Sequence, residues 1–261
     1  MLTNDFIEKL KILHNDGGKH SNYQNFPVFL SDKLGIKADI DEDWRGDSAR
    51  FRFIEENLCF ENEYKILDIG SNTGRFCLDL AYKHRNSIFY AYELNKNYIE
   101  YINLIKNEFN LNNIYAEAIS VGLNDICSLQ YYNIIFHMNV LHHAGVDFDV
   151  DTYKSFSNFK DYSIEYLSKL SKKCSKLVFQ MGYNHGGNKN NPIVKPYNIN
   201  EMLNLEINIF KESNFRIEKI AIYNSKNKKY MLTEENRITD DLFDSTYSEF
   251  YRRPMFILKS I

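Results

Sequence analysis

The run Lys65-Ile66-Leu67-Asp68-Ile69-Gly70-Ser71-Asn72-Thr73-Gly74 constrains this chain more than any other. Apolar Ile66, Leu67 and Ile69 lead into a small polar loop bracketed by Gly70 and Gly74, and a helical pattern runs from Arg75 to Lys83. That order predicts a buried strand, a tight turn and a helix. In an open α/β sheet, ligands sit in the crevice beyond the carboxyl ends of the strands, and glycines there let the backbone come close to them. The loop is the candidate cofactor loop.

The pattern then repeats. Ile88 to Tyr92 reads as a second buried strand, and it ends on Glu93, 19 positions after Gly74. An acid at that separation is placed to accept hydrogen bonds from the ribose hydroxyls of a bound nucleoside. Tyr98 to Phe109 is expected as helix, Ile114 to Ile119 as a third strand and Asn133 to Met138 as a fourth, from which Asn139-Val140-Leu141-His142-His143 leaves at the ligand edge. Asp151 to Lys172 reads as one helix and Lys176 to Met181 as a fifth strand. Gly182 to Tyr197 turns to Gly, Asn and Pro, the mark of a long functional loop. A helix at Asn200 to Ser213 and strands at Phe215 to Tyr223 and Pro254 to Leu258 complete the series.

Ahead of the glycine loop, Phe6, Leu10 and Leu13 recur at helical spacing before Gly17-Gly18. Residues 19–46 lack periodicity and suit a lid or docking segment, or equally a surface-packed arm. Asp47 is placed to cap a helix bearing Phe51, Ile54 and Leu58 on one side. The expected organisation is an N-terminal helical lid over 1–59 and a ligand-binding domain over 60–261.

With 44% hydrophobic residues the chain can bury a full core. A net charge of -3 argues against a basic nucleic-acid surface and toward a small-molecule acceptor. Cys59, Cys77, Cys127 and Cys174 are far apart and form no ligand-like cluster, so no metal site and no disulfide framework is expected, and a reducing cytoplasm fits. Asp5 and Glu8 interrupt the N-terminus, and no run approaches the roughly 18 apolar residues of a membrane span, so neither a leader nor a membrane partner is expected.

Asp68-x-Gly70-x-x-x-Gly74, a strand ending in Glu93, and a fourth strand running into Val140-Leu141-His142-His143 together resemble the class I S-adenosylmethionine-dependent methyltransferases. The resemblance covers roughly residues 60–260. It implies a seven-stranded, Rossmann-like, doubly wound α/β sheet, mostly parallel with an antiparallel last strand. It also implies S-adenosylmethionine as cofactor, with Asp68, Gly70, Ser71, Asn72 and Gly74 around its methionine part and Glu93 on its ribose. Leu94, Ala118 and Ile119 would border the adenine, and His137 with Met138 would offer backbone near the sulfonium. The family's acid after the third strand has two candidates here, Ser120 and Asp125, and Asn133 stands where aspartate is common.

Asp43-Trp44-Arg45-x-Asp47 with Val140-Leu141-x-His143 is also similar to the enzymes that transfer a carboxymethyl group from carboxy-S-adenosylmethionine to a tRNA wobble uridine. Those enzymes have tyrosine where His142 stands, a residue tied to the extra carboxylate. Its absence favours ordinary S-adenosylmethionine, and the low net charge fits poorly with tRNA.

If the acceptor is a hydroxyl, a base must take its proton, and histidine suits that task at neutral pH. His143 is the first candidate, His142 the second, and His185, at the exit of the fifth strand, the third. Arg45 and Arg50 are candidates for a cofactor carboxylate or acceptor phosphate, against a solvated helix start. Arg252-Arg253 and Lys226, Lys228 and Lys229 read as exposed charges. The expected function is O-methylation of a sugar or phosphorylated precursor, as in polysaccharide biosynthesis, by a cytoplasmic enzyme. A tRNA-modifying methyltransferase is the alternative and a nicotinamide-dependent oxidoreductase the second. The latter is disfavoured because Gly70 to Gly74 lacks the middle glycine of a GxGxxG turn.

Overall fold

Strand β1 (Lys65–Ile69) forms where its apolar run predicts, with Ile66 and Leu67 fully buried. The computed structural model describes residues 4–38, 40, 46–60, 63–194, 198–224, 226–234 and 248–261. The chain divides into two compact units, Met1–Ser120 and Val121–Ile261.

In the first unit β1 pairs in parallel with β2 (Ile88–Tyr92), and β2 with β3 (Ile114–Glu117). Helix α1 (Asn4–His14) buries Phe6, Leu10 and Leu13, α2 spans Val28–Leu34 and α3 spans Asp47–Asn57. Helix α4 (Arg75–Lys83) follows the glycine loop, and α5 (Lys96–Glu108) starts on Asn95, whose side chain accepts from the Asn97 amide. Helix α1 packs on α5 and α2 on α4.

Two local expectations give way here. Helix α2 lies inside the segment read as irregular. Its first amide, Val28 N, donates to Asp79 Oδ1 at 2.7 Å, so the cap comes from 51 residues away rather than from a neighbour. Asp47 makes no cap either. Gly46, at φ +63°, precedes the helix, and the Asp47 carboxylate instead accepts from Asn25 N at 2.8 Å and pairs with Arg75.

In the second unit β4 (Tyr132–Met138) runs parallel to β5 (Cys174–Gln180). Strand β8 (Met255–Ser260) lies antiparallel between β5 and β6 (Phe215–Asn224), so the last strand has the expected direction. Strand β7 (Lys229–Thr233) adds a hairpin to β6, which makes eight described strands rather than seven. Exposed Met231 and Leu232 hid it inside a polar connection.

The single helix expected over Asp151 to Lys172 is two, α6 (Val150–Tyr153) and α7 (Phe159–Ser171). Between them Ser155 Oγ donates to Thr152 O, and Asn158 caps α7 by accepting from Asp161 N at 3.0 Å. Serine and asparagine side chains compete with helical backbone bonds in this way. Helix α8 (Ile199–Glu212) packs on α7 and β6. Phe210 of α8 meets Phe179 and Phe256 edge to face at 5.2 and 5.0 Å, contacts that contribute about 0.5–1.5 kcal/mol each beyond area burial. No described helix is long and apolar enough to cross a membrane.

Candidate functional site

The glycine loop is fastened to the end of β2. Gly70 N and Ser71 N both donate to Tyr92 O, at 2.8 and 3.0 Å, and Gly74 N closes the turn on Ser71 O at 2.9 Å. Gly74, at φ +70°, tolerates no side chain, because a β-carbon there would stand 2.6 Å from Cδ1 of Ile102 on α5. Asn72 takes φ +52°, a third left-handed position between Gly70 and Gly74, both at φ +70°.

Glu93 sits against this loop. Its Oε2 accepts from Asn72 N at 2.9 Å and its Oε1 from Asn95 N at 3.0 Å, so the carboxylate is oriented by two backbone amides. Each oxygen keeps lone-pair capacity for a further donor. Asp68 is 2% exposed. Burial first, and the charge of Glu93 second, push its carboxyl well above the usual range despite the Cys77 thiol at 3.9 Å. Ser71 Oγ and Asn72 Oδ1 are buried with no hydrogen-bond partner among the described residues, which leaves two acceptors in the loop. Leu94 and Ile119 are 53% and 37% exposed, and Ala118 is exposed beside Ile119. The amide of Glu93 donates to Glu117 O, so Leu94 and Ala118 continue adjacent strand ends.

Unanticipated partners come from residues 14–24. Asn72 Nδ2 donates to His20 O at 3.2 Å, and Gln24 Oε1 accepts from Thr73 Oγ1 at 3.0 Å and from Arg75 N at 3.1 Å. Burial alone would raise the Asp16 carboxyl, but hydrogen bonds from Ser21, Asn95 and Gly18 outweigh it and hold the group well below its ordinary value. No periodicity marks these residues, because each contact is made by a loop with a distant loop. Arg45, Trp44 and Tyr197 lie outside the described residues. Arg50 is not a solvated helix start: it is 4% exposed on α3.

In the second unit the three candidate histidines have different surroundings. His143 Nδ1 stands 2.7 Å from Asp147 Oδ2, an ion-pair distance, and the ring is partly exposed. His142 is buried, and its Nδ1 accepts from Gly182 N at 3.2 Å, so the neutral ring carries its proton on Nε2. Burial, then the neighbouring His143 and Arg253, drive its pKa well below the usual value. His185 Nε2 donates to Ala144 O at 2.7 Å and its Nδ1 lies 3.2 Å from Asn191 Nδ2, so both ring nitrogens hold the loop together. His137 is fully buried in β4 against Tyr166 and Phe179, and burial lowers its pKa to about 3.

Arg253 is not the exposed charge its sequence context suggested. It is 6% exposed, donates to Asn139 Oδ1 at 2.8 Å and to Glu249 Oε1 at 2.7 Å, and lies beside His142. A β-carbon on Gly182 would fall 2.7 Å from His142 Nε2 and 2.9 Å from Arg253 Nη2. Gly182 is thus the space that lets these side chains meet.

The described units define a Rossmann-like α/β protein with a mostly parallel arrangement and an antiparallel C-terminal end, as expected. Among solved structures, the [4+2]-cyclase SpnF aligns with a TM-score of 0.54 at 10% identity, over 98% of this chain and 94% of its own. WbdD, described as a bifunctional kinase-methyltransferase, aligns with a TM-score of 0.51 at 14% identity over 84% of this chain. This chain spans only 43% of the WbdD chain. At such identities the likeness is one of architecture. No family model and no curated protein sequence matches the chain.

Proposed function

We propose that this chain is an S-adenosylmethionine-dependent methyltransferase that acts on a hydroxyl of a small sugar or phosphorylated acceptor. A fold shared with both a kinase-methyltransferase and a cyclase cannot carry that reading alone, so the site must. The observation that carries it is the state of the glycine loop. The amides of Gly70, Ser71, Asn72, Gly74 and Arg75 all donate to acceptors inside the protein. With five of the six amides from Gly70 to Arg75 engaged and that of Thr73 alone without an acceptor among the described residues, the loop offers a poor cradle for a pyrophosphate, which disfavours a dinucleotide. What it offers instead is acceptors: the outer lone pairs of Glu93, and the orphaned Ser71 Oγ and Asn72 Oδ1.

That set fits S-adenosylmethionine. Glu93 would take the ribose hydroxyls, Ser71 and Asn72 the amino group, and the exposed apolar surface of Leu94, Ala118 and Ile119 the adenine. When bound, this cofactor supplies a methyl group on a sulfonium, which leaves without needing an acid. Burial and the charge of Glu93 both favour the uncharged form of Asp68 beside it. Residues 1–59 act as a lid, through the contacts of His20 and Gln24 with the loop.

In the second unit His143 is the base. Its Nε2 takes the acceptor's proton while Asp147 stabilises the imidazolium that results. His142 stays neutral and donates through Nε2, and His185 fixes the loop over 182–194. The test is calorimetric titration with S-adenosylmethionine and with NAD, followed by a labelled-methyl screen over nucleotide sugars, phosphorylated small molecules and bulk tRNA. Binding of the methyl donor with label in the first two classes is expected. Binding of NAD alone overturns the reading, and label confined to tRNA overturns the acceptor class.

A further inference from the structure

We infer that the side-chain amide of Gln24 is a ligand-binding group, a preset donor for the carboxylate of the cofactor's amino-acid end. The inference rests on the S-adenosylmethionine reading above. Which end of this amide faces the loop is fixed by chemistry. Arg75 N carries a hydrogen and can only donate, so the Gln24 atom 3.1 Å from it is the oxygen, and the Thr73 hydroxyl 3.0 Å from the same atom then acts as a donor to it. The NH2 group therefore points away from the start of α4. It has no hydrogen-bond partner among the described residues, and it is not among the buried polar atoms left unpaired, so it faces solvent beside the loop.

The residue is held at both ends. His14 Nε2 lies 2.8 Å from Gln24 O, and burial keeps that histidine's pKa below its ordinary value, which favours the neutral ring. With backbone and side-chain oxygen both fixed, the two N–H bonds of the amide are oriented before any ligand arrives. Of the neighbouring backbone from Gly70 to Arg75, only the Thr73 amide has no acceptor among the described residues. The amides at positions 70, 71, 72, 74 and 75 already have acceptors, and the unsatisfied groups of the loop include a carbonyl and a hydroxyl oxygen. A ligand that carries an ammonium and a carboxylate on one carbon needs acceptors and donors side by side. Asn72 Oδ1 and Ser71 Oγ provide the first, and Gln24 Nε2 the second.

The experiment compares S-adenosylmethionine with its decarboxylated form, which keeps adenosine, sulfonium and amine and lacks only the carboxylate. Calorimetry on the full chain is run for the unaltered protein, Gln24→Glu and Gln24→Leu. Gln24→Glu retains an oxygen for Thr73 and Arg75 and loses the NH2, so it keeps the loop contacts. The unaltered protein is expected to prefer the carboxylate ligand by about tenfold or more, the scale of one hydrogen bond to a charged group. That preference should vanish in Gln24→Leu and reverse in Gln24→Glu, while affinity for the decarboxylated ligand changes less than about threefold. Equal losses for both ligands would make Gln24 a purely structural tie and overturn the inference, as would an unchanged preference. Failure of the unaltered protein to bind either ligand overturns the cofactor reading itself, and the inference with it.

Discussion

Asp47 and Arg75, the first residues of α3 and α4, form an ion pair with side-chain exposures of 0% and 4%. Removing one partner leaves a buried charge uncompensated, which typically costs about 3–5 kcal/mol. Asp47→Ala should lose that much in urea unfolding. Asp47→Ala combined with Arg75→Met should recover a large part of it. A single variant within about 1 kcal/mol of the unaltered protein would show that the pair is solvated.

Gly74→Ala combines two penalties, a left-handed backbone and a contact of 2.6 Å with Ile102. Together these should cost about 2–4 kcal/mol. Trimming the neighbour with Ile102→Ala, which removes both Cδ1 and Cγ1, should offset only the contact, since the backbone penalty is local. Urea midpoints of the two single variants and the double variant check this.

His137 couples stability to pH. Its pKa is about 3 in the fold and near 6.5 in the unfolded chain, so above pH 6.5 it contributes nothing to the balance. As pH falls through 6.5 the unfolded chain takes up a proton that the folded chain refuses, and stability is lost progressively down to about pH 3. Between pH 6.5 and 5 the loss is about 2 kcal/mol. His137→Phe keeps the ring stacking on Phe179 and should flatten that acid limb. Parallel limbs for the two proteins would show that His137 finds a proton partner.

What could be read in advance was local. The alternation of apolar runs, the glycines at 70 and 74 and the acid at 93 lie close together in sequence, and each announces its geometry through its own spacing. The contacts that finish the site join residues far apart: Gln24 with Thr73 and Arg75, His20 with Asn72, Asp79 with Val28, Arg253 with Asn139. An arginine in a polar stretch looks solvated until the chain folds around it, which is how Arg253 came to be read as exposed and why a solvated helix start stood as the alternative for Arg50. Strand β7 escaped for the opposite reason, because its Met231 and Leu232 face out and break the usual alternation.

Glu93→Ala removes the acceptor for Asn72 N and Asn95 N as well as the proposed ribose contact. S-adenosylmethionine affinity should fall at least about tenfold by calorimetry, as for loss of a hydrogen bond to a charged group. Unchanged affinity would sink the assignment.

His143→Ala should lower turnover by about 100- to 10,000-fold with cofactor affinity kept, the range for a lost general base. His185→Gln should lower it far less, because both nitrogens of that ring are engaged in the loop. The reverse ranking in steady-state assays would transfer the role of base to His185.

Asn72 bears on how this chain is compared with others. It adopts φ +52°, a shape that glycine takes readily, so the letters of the loop differ from a three-glycine pattern where the backbone need not. The missing middle glycine is therefore a weaker argument against dinucleotides than its absence from the sequence suggests, and the engagement of five of the six amides from Gly70 to Arg75 is the stronger one. What asparagine adds is a side chain that grips His20. Asn72→Gly would leave the loop's path intact and cut that grip. Kinship at this position is written in torsion angles, and an alphabet of residues cannot spell it.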